Sequence, residues 1–186
     1  MALEYGTDEW EKAYEEMIAE RSQTPPPYIY FSPEWVAVYE KTIQNDQVYK
    51  DAAKTWEGSV VIHITPAPEM GIDKDLYVFM DLWHGECNSM RIVPAEKGES
   101  GDFVVTGSME RWIQVGKKQL DTVKGMMQGK LKLKGDLPTI VRAVKAAARL
   151  VDVSADIGGI FPDELTPEQV AEFRAWLVPL REKFSV

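Results

Sequence analysis

The chain has 186 residues, 45% of them hydrophobic, which suits one ordinary domain with an apolar core. Its formal net charge of −9 argues against nucleic acid as a general partner, and no apolar run reaches the roughly 18 residues that predict a membrane-spanning helix. The acidic N-terminus lacks the pattern of a secretion signal and Cys87 is the only cysteine, so the expected location is a reducing cytoplasm.

The N-terminal residues 1–31 predict a helix followed by a stiff connector. Apolar side chains recur at helical spacing in this helix, residues 8–21: Trp10, Tyr14, Met17 and Ile18. Pro25–Pro27 cannot continue the helix, because proline lacks the amide hydrogen and fixes its φ angle. Ser32 then predicts the cap of a second helix with a proline at its first position. A third, short helix is predicted from about Asp46 to Lys54.

Beyond Gly58 the apolar side chains recur at every second position or form short continuous runs, which indicates strands. Four strands are predicted here: Ser59–Thr65, Leu76–Trp83, Asn88–Val93 and Asp102–Thr106. Leu76–Trp83 is almost wholly apolar and is predicted to be buried on both faces. Glu96–Gly101 is predicted to be a polar loop.

The C-terminal half is predicted to be mainly helical. Ser108 predicts the cap of one helix, Asp121–Gln128 a shorter one, and the alternating lysines and leucines of Lys130–Lys134 a fifth strand. A long helix is predicted from Leu137 to about Val153. Its inward stripe is Leu137, Ile140, Val141, Val144, Ala148 and Val151. A final helix is capped by Thr166, and the order of strands and then helices predicts the α+β class.

Two segments carry more specific motifs. Asp75–Gly85 is a strand that ends in a tight turn, and Val123–Leu137 joins a short helix, the sequence Gly-Lys-Leu-Lys-Leu-Lys-Gly-Asp and the start of the long helix. In this order and composition they resemble the sterol carrier protein 2 (SCP2) family, in its bacterial and archaeal branch. The resemblance covers roughly Glu34 to Val153.

The resemblance implies a five-stranded, mostly antiparallel sheet, covered on one face by helices, with an apolar cavity between the layers. It makes residues 32–153 an SCP2-like lipid-binding domain. Residues 1–31 then form an N-terminal helix and connector, and residues 154–186 a C-terminal helical extension. The implied function is non-catalytic binding or transfer of a hydrophobic small molecule, with no cofactor. The ligand would be a fatty acyl group, an acyl-coenzyme A, or an isoprenoid or sterol-like lipid.

The residues expected to line this cavity are apolar side chains of the predicted strands and helices: Val60, Ile62, Val78, Met80, Trp112, Ile113, Val123, Met126, Met127, Leu131, Leu133, Ile140 and Val144. Met126 and Met127 suit ligands of varied shape, because methionine is flexible and polarizable. The alternative is that these side chains fill a core. The fold would then serve as a protein-interaction or regulatory module, with Trp10, Tyr14 and Trp35 available to a partner or a homodimer.

Positive charge is concentrated in one stretch of this acidic chain. Lys117–Arg149 contains nine Lys or Arg and two Asp. This pattern predicts either a surface that binds an anionic membrane or a solvated face, in which the strand lysines guard against edge-to-edge aggregation.

No catalytic motif is present: the sequence has no nucleophile elbow, phosphate-binding loop or dinucleotide-binding glycine pattern. His84–Cys87 holds three potential metal ligands, but their spacing does not match a closed zinc site, so a turn is favoured and no metal is expected. Asp81 and His84 are the only candidates for an acid or base in the cavity. The sequence therefore predicts that the chain is not an enzyme.

Overall fold

One five-stranded sheet forms the centre of the protein in the computed structural model, which describes residues 1–186. The strands are β1 (Val60–Ile64), β2 (Leu76–Trp83), β3 (Glu86–Val93), β4 (Phe103–Gly107) and β5 (Lys132–Lys134). They lie side by side in the order β3-β2-β1-β4-β5. Only β1 and β4 are parallel, whereas the other three neighbouring pairs are antiparallel. The predicted α+β class and mostly antiparallel sheet are confirmed.

Nine α-helices accompany the sheet. They are α1 (Asp8–Arg21), α2 (Pro33–Gln44), α3 (Gln47–Ala52), α4 (Ala95–Glu99), α5 (Met109–Gly116), α6 (Thr122–Met127), α7 (Leu137–Arg142), α8 (Val144–Ile157) and α9 (Pro167–Phe184). Seven of them follow a Ser, Thr or Asp whose side chain accepts a hydrogen bond from a first-turn amide, which stabilises the helix start. None combines the length and the apolar sequence required to cross a membrane.

The segment expected to be a polar loop, Glu96–Gly101, contains most of the short helix α4. Its Gly98 lies so close to the side chain of Tyr77 on β2 that a Cβ atom there would be only 2.3 Å from Cδ1 of the ring. The loop prediction was therefore wrong, because the close approach to Tyr77 is a tertiary contact that the polar local sequence does not indicate.

The long helix predicted from Leu137 to Val153 is broken at Ala143, which has φ −100° and ψ 23° and separates α7 from α8. The break changes the phase of the helix, so the predicted inward stripe is correct only in part. Val141 and Val144 are each 44% exposed. Ile140 on α7 is buried, and Val151 on α8 is half-buried.

The inner face of the sheet carries the main core. Val60 and Ile62 on β1 are paired in register with Met80 and Val78 on β2, and these side chains belong to the largest apolar cluster. Helix α2 packs on β3, and α8 packs against α2, α3 and α5. The outer face has a smaller cluster: Val61, Tyr77, Phe79, Val93 and Val104. Because α4 contacts β2 and β1, the nearly continuous apolar strand β2 is buried on both sides, as predicted.

The outer edge of β3 is protected by side chains from the first two helices. The backbone amide of Met90 donates to Glu40 Oε2 at 2.6 Å, and that of Ile92 donates to the Tyr14 hydroxyl at 3.0 Å. A strand edge with free amides is a site for unwanted pairing with another chain. Helix α1 therefore closes an edge of the sheet as well as adding apolar surface.

The two ends of the chain pack against each other. The Trp10 indole donates to the carbonyl of Phe184 at 3.2 Å, and Trp10 stacks on Tyr14 with ring centroids 4.7 Å apart. Trp10, Tyr14 and Trp35 are at most 2% exposed. These aromatic residues, which the sequence offered as a surface for a partner or homodimer, are thus covered within one chain.

Candidate ligand cavity

A cavity of about 110 Å³ lies between the inner face of the sheet and the helices. Twenty of its 22 lining residues are hydrophobic, and the sheet supplies five of them: Val60, Ile62, Met80, Leu82 and Val105. Helix α8 and the preceding break form the opposite wall, with Ala143, Ala146, Ala147, Leu150, Val151 and Ser154. The hollow exists because three of the side chains that face the sheet from this wall are alanines, which are too short to fill the gap.

Seven aromatic side chains also line the cavity: Tyr30, Phe31, Trp35, Tyr39, Tyr49, Trp56 and Trp112. Backbone carbonyls hold the polar ends of four of them. The indole nitrogens of Trp35, Trp56 and Trp112 donate to Gly158, Gly58 and His63 at 2.8, 2.8 and 3.1 Å. The Tyr39 hydroxyl donates to the Leu150 carbonyl at 2.8 Å. These hydrogen bonds hold the four rings in place by contacts within the protein.

No charged side chain lines the cavity, and the only lining residues outside the hydrophobic set are Thr122 and Ser154. Burial raises the pKa of Tyr30 to about 12 and that of Tyr39 well above its usual range, so both hydroxyls are neutral at physiological pH. An apolar wall with a few neutral polar groups is typical of a site for a hydrophobic small molecule.

Six of the thirteen residues predicted to line a cavity lie on its wall: Val60, Ile62, Met80, Trp112, Met126 and Ile140. They belong to five different elements of the chain, β1, β2, α5, α6 and α7. The fold therefore brings together residues that are up to 80 positions apart, between Val60 and Ile140.

The other seven predicted residues do not lie on the wall. Val78, Ile113 and Leu131 are packed inside the main core. Val123 and Leu133 pack with Phe103 and Ile140 instead. Met127 and Val144 are 67% and 44% exposed, because α6 ends at Met127 and the break at Ala143 turns Val144 outward.

Sequence reasoning missed the alanines of the wall and all of its aromatic residues except Trp112. Trp35 and Tyr39 lie four residues apart on one face of α2, a spacing that indicates a shared buried side. Ala146 and Ala147 lie in a helix that also contains larger apolar residues, and these two short side chains could have indicated a gap. Tyr49 and Trp56 gave no comparable pattern, since both belong to short segments.

The groups that could have supported other chemistry lie elsewhere. No three His, Cys, Asp or Glu side chains are placed to hold a metal ion. Asp81 and His84 are absent from the cavity wall, and His84 Nε2 lies 2.7 Å from Glu57 Oε1. Burial raises the pKa of the Cys87 thiol to about 12, so this cysteine is an unreactive thiol.

The basic stretch divides into paired and unpaired cations. Lys117 pairs with Asp163 and Glu164, Lys118 with Asp152, and Arg149 with Asp46. The remaining cations have no carboxylate within 4.0 Å: Lys124, Lys130, Lys132, Lys134, Arg142 and Lys145. They share the segment from α6 to the start of α8 with three exposed apolar side chains: Met127, Val141 and Val144.

Comparison with known proteins adds an independent observation. The family model described as the SCP-2 sterol transfer family matches residues 39–147. A crystal structure of sterol carrier protein 2 is 33% identical, with a TM-score of 0.61 over 66% of this chain and 95% of that chain. A conserved hypothetical protein from Thermus thermophilus, described as possibly a sterol carrier protein, is 30% identical, with a TM-score of 0.64 over 73% of this chain and 94% of that one. No curated protein sequence matches the chain.

Proposed function

The chain belongs to the SCP-2 sterol transfer family, and from this premise we propose that it binds and transfers a hydrophobic small molecule. The observation that carries the proposal is the hollow between sheet and helices, with 20 hydrophobic residues among the 22 that line it. A filled core would leave no such space. Fatty acyl chains and isoprenoid or sterol-like lipids are the ligand classes that such a wall can accept.

The cavity proposed for the ligand is small. At about 110 Å³ it is below the roughly 150 Å³ of an engineered protein cavity that binds benzene. A lipid chain therefore requires the wall to move, and we expect the movement at the break at Ala143 and in helix α8, whose cavity-lining alanines have short side chains.

Native mass spectrometry of gently purified protein tests the proposal. The wild type should carry an added mass, or acquire one after incubation with medium-chain lipids. Ala147→Met should reduce this binding because the longer side chain enters the cavity. Ala148→Met is the matched control, since Ala148 is the next residue of α8 and is exposed. A wild type that stays at the bare chain mass with every lipid would count against the proposal.

We also propose that the unpaired cations and the exposed Met127, Val141 and Val144 face an anionic membrane during ligand exchange. Apolar side chains among basic ones are suited to the membrane interface, where each Lys or Arg contributes about 1 kcal/mol. The location supports this use, because the neighbouring Met126 and Ala143 belong to the cavity wall.

Sedimentation with vesicles tests the membrane proposal. Binding to vesicles with phosphatidylglycerol should exceed binding to phosphatidylcholine alone, and it should decrease in a Lys130→Glu, Lys132→Glu double variant. Lys41→Glu on the exposed side of α2 is the control and should bind as the wild type does. Equal binding to both vesicle types would exclude the membrane surface.

Binding without catalysis is part of the proposal, since Asp81 and His84 lie outside the cavity wall. The alternative of an interaction module has lost its main support, because Trp10, Tyr14 and Trp35 are buried within one chain. The cytoplasmic location expected from the single cysteine stays a prediction.

A further inference from the structure

One buried tyrosine differs from all the others in the surroundings of its hydroxyl group. The hydroxyl of Tyr14 accepts from the Ile92 amide, that of Tyr39 donates to the Leu150 carbonyl, that of Tyr77 donates to Glu99, and that of Tyr30 lies beside the Ser154 hydroxyl. Tyr49 on α3 is only 1% exposed, yet no protein group forms a hydrogen bond with its hydroxyl.

Tyr49 lines the cavity, and its hydroxyl is not sealed inside the protein. Only one buried side-chain nitrogen or oxygen is inaccessible and also lacks a hydrogen-bond partner, and this atom is Arg91 Nε. The unpaired Tyr49 hydroxyl is not such an atom and therefore borders accessible space, and Tyr49 is one of the residues that line the cavity. Phenylalanine would fill the same volume without an unmet hydrogen bond, which is unfavourable for a buried group.

The surroundings of this hydroxyl are uncharged. Burial raises the pKa of Tyr49, and the only ionisable group that adds to this rise is the Cys87 thiol, which is itself protonated at physiological pH. A carboxylate placed beside Tyr49 would be buried without a cation to balance it, which is strongly unfavourable. The cations of the basic stretch are absent from the cavity wall.

We propose that the Tyr49 hydroxyl donates a hydrogen bond to a neutral oxygen of the ligand, so that the cavity selects an uncharged lipid with a buried hydroxyl or carbonyl group. This inference rests on the proposed function and narrows its ligand class. It favours alcohols, ketones, esters and similar molecules over an ionised fatty acid that enters with its carboxylate first.

Four probes of equal chain length test the inference: octane, 1-octanol, 2-octanone and octanoate at neutral pH. Their affinities are measured by titration calorimetry or by competition with an apolar dye, for the wild type and for Tyr49→Phe. The wild type should bind octanol and octanone more tightly than octanoate. Tyr49→Phe should weaken octanone binding by roughly two- to tenfold, the value of one hydrogen bond, and leave octane binding unchanged. Tyr77→Phe is the control, since Tyr77 lies on the outer face of the sheet and should change no affinity.

The outcomes separate the two proposals. If octane binds but octanone binds equally to wild type and Tyr49→Phe, or if octanoate binds as tightly as octanol, the hydrogen bond from Tyr49 is excluded and the apolar site remains. If no probe binds, octane included, the ligand cavity is excluded and the Tyr49 inference with it.

Discussion

Some buried tyrosine hydroxyls in this protein have a hydrogen-bond partner and one has none, so the same substitution should have different effects on stability. Tyr14→Phe leaves the buried amide of Ile92 without its acceptor, and we expect a loss of about 1–3 kcal/mol in the free energy of unfolding. Tyr49→Phe removes a hydroxyl that has no partner, and we expect an unchanged or higher value in the absence of ligand. Urea unfolding of both variants measures the contrast. A large loss in Tyr49→Phe would indicate a protein partner for its hydroxyl.

The ion pair between Asp46 and Arg149 predicts a pH dependence of stability. Nε and Nη2 of Arg149 each lie 2.7 Å from a carboxylate oxygen of Asp46, and this hydrogen bonding lowers the pKa of Asp46. A lowered carboxyl pKa stabilises the fold above the ordinary value near 4, and the stabilisation is lost as the pH falls through the lower folded value.

Asp46→Asn keeps an oxygen that can cap α3 but removes the ion pair. The variant should be less stable than the wild type at neutral pH, and the difference should shrink as the pH falls below about 4. Unfolding curves at several pH values measure it. A difference that stays constant from neutral to acid pH would contradict the assignment.

At the scale of elements, the break between α7 and α8 is expected to be the least protected part of the cavity wall. The backbone there leaves helical geometry at Ala143, and Val141 and Val144 beside it are exposed. In hydrogen exchange, amides at this break should exchange faster than those of β2, and ligand should slow them. If amides at the break exchange as slowly as those of β2, with or without ligand, the ligand does not enter the cavity at this break.

The elements could be predicted where their determinants are local. Caps such as Ser32 and Thr166 and the period-two pattern of β1 depend on neighbouring residues, and they gave the correct element types. The break at Ala143 could not be predicted, because no proline or glycine lies near it and the apolar spacing continues from Ile140 to Val144.

The cavity depends on distant parts of the chain, so only part of its wall could be predicted. Val78 and Met80 point to the same face of β2, and alternation treats them alike. Only Met80 lies beneath the hollow. The short alanines of α8, which lie opposite the sheet, determine which of the two side chains borders the cavity. No pattern within β2 contains that information.

For the whole molecule, contact between the chain ends should contribute strongly to stability. Trp10 is fully buried between Tyr14 and Phe184 and hydrogen-bonded to the carbonyl of Phe184. Trp10→Ala should lower the free energy of unfolding by about 3–5 kcal/mol, the usual effect of removing a buried aromatic ring. Lys12→Ala is the control and should change it by less than about 0.5 kcal/mol, since Lys12 is largely solvated.

Denaturant unfolding of the two variants gives the comparison, and equal stabilities would show that α1 is dispensable for the rest of the fold. Loss of α1 should also free the Ile92 amide at the edge of β3, so the destabilised variant should aggregate more readily than the wild type.

Three of the six tryptophans, Trp35, Trp56 and Trp112, stand around the cavity with their indole nitrogens tethered to the backbone. The protein consequently contains its own optical reporter of occupancy. A brominated or spin-labelled alkyl ligand should quench the fluorescence of these three tryptophans. The fluorescence of Trp10 and Trp83, which do not line the cavity, should be unchanged. Loading and release could then be timed without attaching any dye.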